Sequence, residues 1–138
     1  MKTWKRMGLL FTVLAGLALV SGCQNVVANN HLTLNDYADH LVACGLPVEQ
    51  IQPVNPGPVK AVEAMSVKFK DNPNEIGVYR YDREREADRI RLDRVAKDGC
   101  IYVVGFKYPA LVQGSFIVIG YEKNELKNQI ITATESFL

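Results

Sequence analysis

The amino-terminal segment constrains this chain most strongly, because it bears on where the folded part works. Three basic residues, Lys2, Lys5 and Arg6, precede an almost wholly apolar run from residue 7 to residue 20. A positive start followed by a short apolar run is the layout of a secretory signal peptide. The run is shorter than the roughly 20 apolar residues that a membrane-spanning helix needs, so the pattern predicts cleavage rather than a permanent span.

The four residues that end this segment, Val20-Ser21-Gly22-Cys23, are an aliphatic residue, two small residues and a cysteine. This motif resembles the lipobox of bacterial lipoproteins. The resemblance implies that the Cys23 thiol receives a diacylglycerol, that the peptide is cut before Cys23, and that the new amino terminus is acylated too. Several acyl chains on one residue give stable anchoring, whereas a single chain holds only marginally. The alternatives are an ordinary secretory signal with an incidental cysteine, and a buried amino-terminal helix.

The residue after the lipidated position bears on localisation. In the lipoprotein family, an aspartate at that position retains a protein in the inner membrane, and this chain has Gln24 there. In a bacterium with two membranes, the resemblance therefore implies the periplasmic face of the outer membrane. In a bacterium with one membrane, it implies the outer face of the cell membrane. In both cases we expect an exported protein held on a lipid bilayer through acylated Cys23.

Length and charge bound the folded part. Removal of residues 1–22 from the 138-residue chain leaves 116 residues, enough for one domain with its own core. We expect residues 23–31 to be a lipidated tether without regular structure, and residues 32–138 to form a single domain. The removed segment holds three of the 16 basic residues and none of the 15 acidic ones, so the formal charge changes from +1 to −2. A slightly acidic domain lacks the basic face that nucleic-acid binding requires, and we expect no nucleic-acid partner.

Two cysteines, Cys44 and Cys100, remain once Cys23 carries lipid. An even pair of cysteines in an exported protein predicts a disulfide. In the chain-entropy model, closure of a loop of that length contributes roughly 4 kcal/mol to stability. The alternative is a pair of buried free thiols.

The stretch from residue 33 to about residue 44 has the pattern of an amphipathic helix. Thr33 and Asp36 have the spacing of a capping box, and Gly45 and Pro47 end the helix. The apolar side consists of Leu34, Tyr37, Ala38, Leu41 and Val42.

Along one flank of this helix, Asp36, His40 and Cys44 recur every four residues. An imidazole and a thiolate one turn apart could share a metal ion or a proton. No second Cys or His cluster completes a set of four ligands, so we expect neither a metal site nor a cofactor. The simpler interpretation is a solvated flank with a structural Cys44.

The middle of the chain reads as a connector followed by strands. Residues 47–58 hold four prolines and a glycine, which predicts a stiff extended connector rather than a proline-rich binding segment. Apolar and polar residues then alternate from residue 59 to residue 69, and residues 76–81 follow a turn of Asp and Asn residues, which predicts a hairpin. Residues 100–108 and 115–121 are apolar on both sides, as central strands are.

The most charged stretch runs from Asp82 to Asp98 and contains six acidic and six basic residues. It predicts a helix that is capped by Asp82. Arginines can recognise phosphate or carboxylate, but acids interleaved with them favour a solvated helix face. We expect the buried face of this helix to comprise Ala87, Ile90, Leu92, Val95 and Ala96.

Together with a last helix over residues 122–137, these elements predict an α+β fold. We expect a four-stranded, mainly antiparallel sheet with three helices packed on it, in the order α-β-β-α-β-β-α. Tyr81-Asp82-Arg83 and Tyr121-Glu122-Lys123 occupy matching strand ends and hint at an internal repeat of roughly 40 residues.

Candidate functional residues are mainly aromatic, since the chain has none of the familiar catalytic motifs. If the helices cover only one sheet face, the exposed rings would form a partner-binding patch; the alternative is that they pack in the core. We therefore expect a lipid-anchored binding module for a protein, glycan or small ligand. The alternatives are a hydrolase-type enzyme that uses His40 with a carboxylate, and an oligomeric envelope scaffold subunit. The aromatic candidates are Tyr79 and Tyr81 on one strand, and Tyr102, Phe106 and Tyr108 on one side of the next.

Overall fold

The computed structural model of the chain describes residues 29–138. The fold is α+β, with three α-helices and an antiparallel sheet, as the sequence predicts. The sheet has six strands rather than four, and the order is α-β-β-β-α-β-β-β-α. The helices are α1 (Leu34–Ala43), α2 (Glu86–Asp98) and α3 (Lys127–Glu135). The strands are β1 (Val48–Pro53), β2 (Glu63–Phe69), β3 (Ile76–Arg80), β4 (Cys100–Val103), β5 (Phe106–Gln113) and β6 (Phe116–Ile119).

The sheet consists of two three-stranded meanders. Its strand order is β1-β2-β3-β6-β5-β4, and all neighbours are antiparallel, so the meanders meet where β3 pairs with β6. This arrangement gives the sheet two free edges, β1 and β4. The offsets between matching strands are uneven, with β4 beginning 52 residues after β1 and β6 beginning 40 residues after β3, so the hinted repeat of roughly 40 residues stays a prediction.

The sheet has two more strands than the sequence predicts, and each arises for a different reason. β1 lies in the proline-rich segment interpreted as a connector, and it pairs with β2 from Val48↔Phe69 to Pro53↔Met65. Proline is tolerated there because β1 is an edge strand. The stretch over residues 100–108, interpreted as one strand, turns at Val104-Gly105 and forms a β4–β5 hairpin. β5 then continues to Gln113, beyond the predicted strand end at residue 108.

The helices pack on both faces of the sheet. α1 and α3 bury Tyr37, Leu41, Ile130 and other residues against one face, which we call the α1/α3 face. α2 covers part of the opposite face, which we call the α2 face, with Leu92 and Val95. Residues 29–138 contain two hydrophobic core clusters, and no buried side-chain N or O atom in that range lacks a hydrogen-bond partner. A chain that begins at Gln24 contains both clusters and all of the described residues.

The helix ends follow local hydrogen bonding. The predicted capping box of α1 is present, since the Asp36 amide donates to Thr33 Oγ1 and the Thr33 amide donates to Asp36 Oδ2. α2 begins three residues later than a helix capped by Asp82 would, because the Asp82 carboxylate accepts from the Glu84 amide in a turn instead of capping the helix. The predicted inner face of α2 is only partly correct: Leu92 and Val95 are buried, whereas Ala87, Ile90 and Ala96 are exposed.

Asn29, the first of the described residues, is fully buried. Its side-chain amide donates to the Gln113 carbonyl oxygen at 3.0 Å, and its side-chain oxygen accepts from the Ser115 amide at 2.9 Å. Asn29 and Asn30, which the sequence assigns to the tether, are therefore part of the folded domain. These bonds fix the amino-terminal end of the domain beside the β5–β6 turn.

Candidate functional site

The β4–β5 hairpin exposes large apolar side chains at its tip. Tyr102 is 64% exposed, Val104 79% and Phe106 68%. Both turn residues, Val104 and Gly105, have positive φ, at 48° and 81°. Such turns favour Asn-Gly, and a β-branched residue with positive φ is unusual. The hairpin therefore combines exposed apolar surface with a strained backbone position.

The hairpin turn divides its aromatic residues between the two faces of the sheet. Tyr102 pairs with Lys107, whereas Tyr108 pairs with Ile101 and Phe106 with Val103. Because paired residues share a face, Tyr102 lies on the opposite side from Phe106 and Tyr108. The prediction that these three residues share one side is wrong, since it assumed an unbroken strand.

Tyr79 and Tyr108 line a shallow pocket of about 320 Å³ on the α2 face of the sheet. Tyr79 is half-buried, and both its burial and the neighbouring Tyr108 hydroxyl raise the pKa of the Tyr79 phenol. Gly77 leaves room for this ring, since a β-carbon there would lie 3.1 Å from the Tyr79 hydroxyl. The two tyrosines thus form a surface that is continuous with β5.

Tyr81, the fourth predicted partner-binding tyrosine, is a core residue. It is 0% exposed, and its hydroxyl donates to the Val59 carbonyl oxygen at 2.9 Å. The Arg91 guanidinium lies 5.8 Å from the centre of its ring. Burial raises the pKa of Tyr81 strongly. Its assignment to a binding surface is therefore wrong, because α2 and residue 59 cover this part of the sheet.

His40 and Cys44 are neighbours, but their hydrogen bonds do not form a nucleophile–base pair. His40 Nε2 lies 2.8 Å from the Ala133 carbonyl oxygen and 3.5 Å from Cys44 Sγ. A carbonyl oxygen can only accept, so the contact with Ala133 is a hydrogen bond only when Nε2 carries the proton, and in that tautomer Nε2 cannot take a proton from the thiol. Hydrogen bonds from Thr33 occupy the Asp36 carboxylate and hold its pKa below the usual value. The geometry does not favour an enzyme built on His40.

The predicted disulfide is a further correction, because Cys44 and Cys100 are both free thiols. α1 packs over β1, β2 and β3, whereas Cys100 begins the opposite edge strand. β4 and β3 are three strand spacings apart, or roughly 14 Å. A disulfide requires Cα atoms within about 7 Å. Cys23, the predicted lipidation site, lies outside the described residues.

A basic pocket of about 370 Å³ lies beside β4 and was missed by the sequence reasoning. We use this name for the space lined by Lys60, Arg91, Arg94 and Asp98 together with β4. Arg91, Arg94 and Asp98 follow one another at helical spacing, which is a signal that the sequence contains. Lys60 joins them only through the tertiary fold, from the segment between β1 and β2.

The described part of the chain, residues 29–138, contains no group of three or more His, Cys, Asp and Glu residues that could hold a metal ion. Among the helices in that range, none has the length and apolar character that crossing a bilayer requires. Comparison with family models, curated proteins and solved structures finds no match to the chain. Inference about function therefore rests on the site itself.

Proposed function

We propose that this protein is a lipid-anchored module of the bacterial envelope that binds a partner protein through the β4–β5 hairpin. The observation that carries the proposal is the exposure of Tyr102, Val104 and Phe106 at one hairpin tip. Clustered apolar side chains on a polar surface are typical of protein interfaces, and aromatic residues are enriched at their centres.

The backbone of the hairpin turn supports this interpretation. A non-glycine residue in the left-handed region costs roughly 1–2 kcal/mol, and Val104 has φ of 48°. Its side chain is 79% exposed, so packing within residues 29–138 does not compensate for that cost. Strain of this kind is concentrated at functional sites.

The direction of the hairpin also supports a partner rather than the anchoring membrane. Asn29 bonds to Gln113 and Ser115 at one end of β5, whereas the hairpin tip lies at the other end. β5 spans eight residues, or roughly 24 Å between its ends. Five residues lie between Cys23 and Asn29, and the six Cα–Cα steps that join the two can reach at most about 20–22 Å. Because this reach is shorter than β5, a domain held in this way can stand upright on the lipid only with the tip pointing away.

The anchor is tested by Cys23→Ser in the full chain. We expect the wild-type protein to sediment with membranes and to resist extraction by alkaline carbonate. The variant should appear in the soluble fraction, because it has no thiol to acylate. Retention after carbonate of Cys23→Ser whose residues 1–22 mass spectrometry shows to be removed would contradict lipid anchoring.

The binding surface is tested by Val104→Asn, which should separate stability from binding. Asparagine tolerates positive φ and suits a turn before glycine, so we expect stability to rise by about 1 kcal/mol. Loss of the apolar tip should reduce recovery of the crosslinked partner from envelope extracts. Lys127→Asn, on the exposed start of α3, is the matched control and should change neither. Equal partner recovery with Val104→Asn and wild type would refute the proposed surface.

A further inference from the structure

The two edges of the sheet differ in their protection against pairing with another strand. β1 carries Glu49, a register irregularity between Val48 and Gln50, and Pro53 at its end. Charges, bulges and prolines are the features that prevent strand addition at an edge. β4 has the sequence CIYV and a regular register with β5, without any of those features. Of the two edges, β4 is the one open to a further strand.

The outward peptide groups of β4 can be assigned from the hydrogen-bond alternation. The Ala110 amide donates to the Gly99 carbonyl oxygen at 3.0 Å, which places residues 99, 101 and 103 at the positions that bond to β5. The N–H and C=O groups of Cys100 and Tyr102 consequently point away from β5. Two residues with this orientation offer four backbone groups to an added strand.

The basic pocket runs along this same edge. The pocket is lined by residues from both faces of β4, with Ile101 on one face and Cys100 and Tyr102 on the other. Its opposite wall comes from α2 and from residues 58–60. An added strand would therefore lie over the mouth of the pocket, and one of its side chains would enter it.

The charges of the pocket indicate what kind of side chain an added strand would place in it. Arg91 is neutralised by Asp88, since Nη1 of Arg91 lies 3.1 Å from Oδ1 of Asp88. Within residues 29–138, no carboxylate lies within 4.0 Å of Lys60 or Arg94. Among the described residues, Asp98 is the one carboxylate in the lining, and it forms no ion pair within 4.0 Å, so Lys60 and Arg94 leave the pocket an excess of positive charge. This excess favours a carboxylate, with which the two cations can form charge-assisted hydrogen bonds. A second copy of this chain would instead bring its own two cations to the same edge.

We propose that an extended, acidic segment of the partner protein adds to the outer edge of β4 as a seventh strand. One of its carboxylates lies between Lys60 and Arg94, and its backbone pairs with Cys100 and Tyr102. The inference rests on the proposed function, because it specifies the chemistry of the partner at that same surface. It uses β-strand addition, in which backbone bonds give affinity and a side-chain pocket gives specificity.

The first experiment selects peptides from a displayed random 12-residue library on the chain that begins at Gln24. We expect enrichment of acidic sequences, and a weakening of the dissociation constant by at least tenfold in Lys60→Glu and in Arg94→Glu. Arg89→Glu makes the same charge change on an exposed position of α2 outside the pocket, and should leave binding within twofold. Selected peptides without acidic residues, or equal binding by wild type and the two pocket variants, would overturn the proposal.

A second experiment tests the backbone pairing without altering the protein. The selected peptide is synthesised in two forms, each methylated on alternate backbone nitrogens. Strand addition requires one alternate set of N–H groups to face β4 and the other to face solvent. We therefore expect one form to lose binding at least tenfold and the other to retain it. An equal loss in both forms, or none in either, would rule out strand addition.

The failure of this inference can be distinguished from failure of the proposed function. If Val104→Asn loses the envelope partner while the selected peptides ignore Lys60 and Arg94, the hairpin is a binding surface without the acidic strand. If light scattering finds a dimer that Tyr102→Ala dissociates, a second copy occupies the edge and the acidic strand is excluded. If Val104→Asn retains the partner, the proposed function falls whatever the peptides do.

Discussion

Replacement of Tyr81 by alanine should destabilise the domain severely, whereas the same replacement at Tyr102 should leave its stability almost unchanged. Tyr81 is 0% exposed, and removal of a buried aromatic ring costs about 3–5 kcal/mol. The Val59 carbonyl oxygen also loses the hydroxyl that donates to it at 2.9 Å, at a further cost of about 1 kcal/mol. We therefore expect a loss of about 4–6 kcal/mol, a large share of the about 5–15 kcal/mol typical of a domain.

Tyr102 has far fewer contacts to lose. Its side chain is 64% exposed on the edge strand β4, and substitutions at such positions usually stay within about 0.5 kcal/mol. The two substitutions thus remove the same atoms from the same residue type. Only the surroundings differ, so the contrast measures burial directly.

The assay is urea unfolding of the chain that begins at Gln24, followed by far-ultraviolet circular dichroism. The slope against urea should stay the same for Tyr102→Ala, since it reports the surface that unfolding exposes. Tyr81→Phe is the intermediate variant, which keeps the ring and removes the hydroxyl, and it should cost about 1–2 kcal/mol. Losses of similar size at Tyr81 and Tyr102, or a loss below about 1 kcal/mol for Tyr81→Ala, would refute the assignment of one to the core and the other to the surface.

Three further outcomes follow from backbone, pH and thiol chemistry. In urea unfolding, Gly114→Ala should destabilise the domain more than Gly105→Ala. Both glycines have positive φ, but of the two only Gly114 has a neighbouring side chain, that of Asn29, which an added β-carbon would overlap. Burial raises the pKa of Tyr81, so its folded form favours the neutral phenol; stability should hold below pH 10 or so and fall at higher pH, which ultraviolet titration with circular dichroism would detect. Cys44 should react with a thiol reagent in the native protein. The double variant with Cys44→Ser and Cys100→Ser should have a free energy of unfolding within about 0.5 kcal/mol of wild type, whereas loss of a disulfide would cost roughly 4 kcal/mol.

The helices were the most predictable part of the fold, because their signals are local. Thr33 and Asp36 form the expected capping box within four residues of sequence. α2 shows where such signals compete. Asp82 has the side chain of a good cap, but its carboxylate bonds to the Glu84 amide and to the Asn30 side chain, so the helix begins later.

The strand count depended on tertiary structure and was harder to predict. Pro53 argues against a strand until its position at a sheet edge is known. The Val104-Gly105 turn lacks the asparagine or aspartate that usually marks a two-residue hairpin, so an apolar run concealed a change of direction. That turn also reversed the faces of the aromatic residues that follow it.

The candidate site, like the fold, could be predicted only in part from the sequence. The aromatic patch was expected if helices cover only one face of the sheet, but they pack on both faces. Tyr81 therefore lies under α2, whereas Tyr102 is exposed on the edge strand β4. The basic pocket unites residue 60 with residues 91–102, and no spacing in the sequence relates Lys60 to β4. Sites assembled from distant segments require the topology before their residues can be grouped.

Site-specific photocrosslinking in cells tests the central claim most directly. A photoreactive phenylalanine derivative replaces Tyr102 in the lipid-anchored chain, and the same residue replaces Lys127 on α3 in the control. We predict one discrete adduct from position 102 that contains a partner protein, and none from position 127. Absence of an adduct at position 102, or the same products from both positions, would contradict a partner-binding surface at the β4–β5 hairpin.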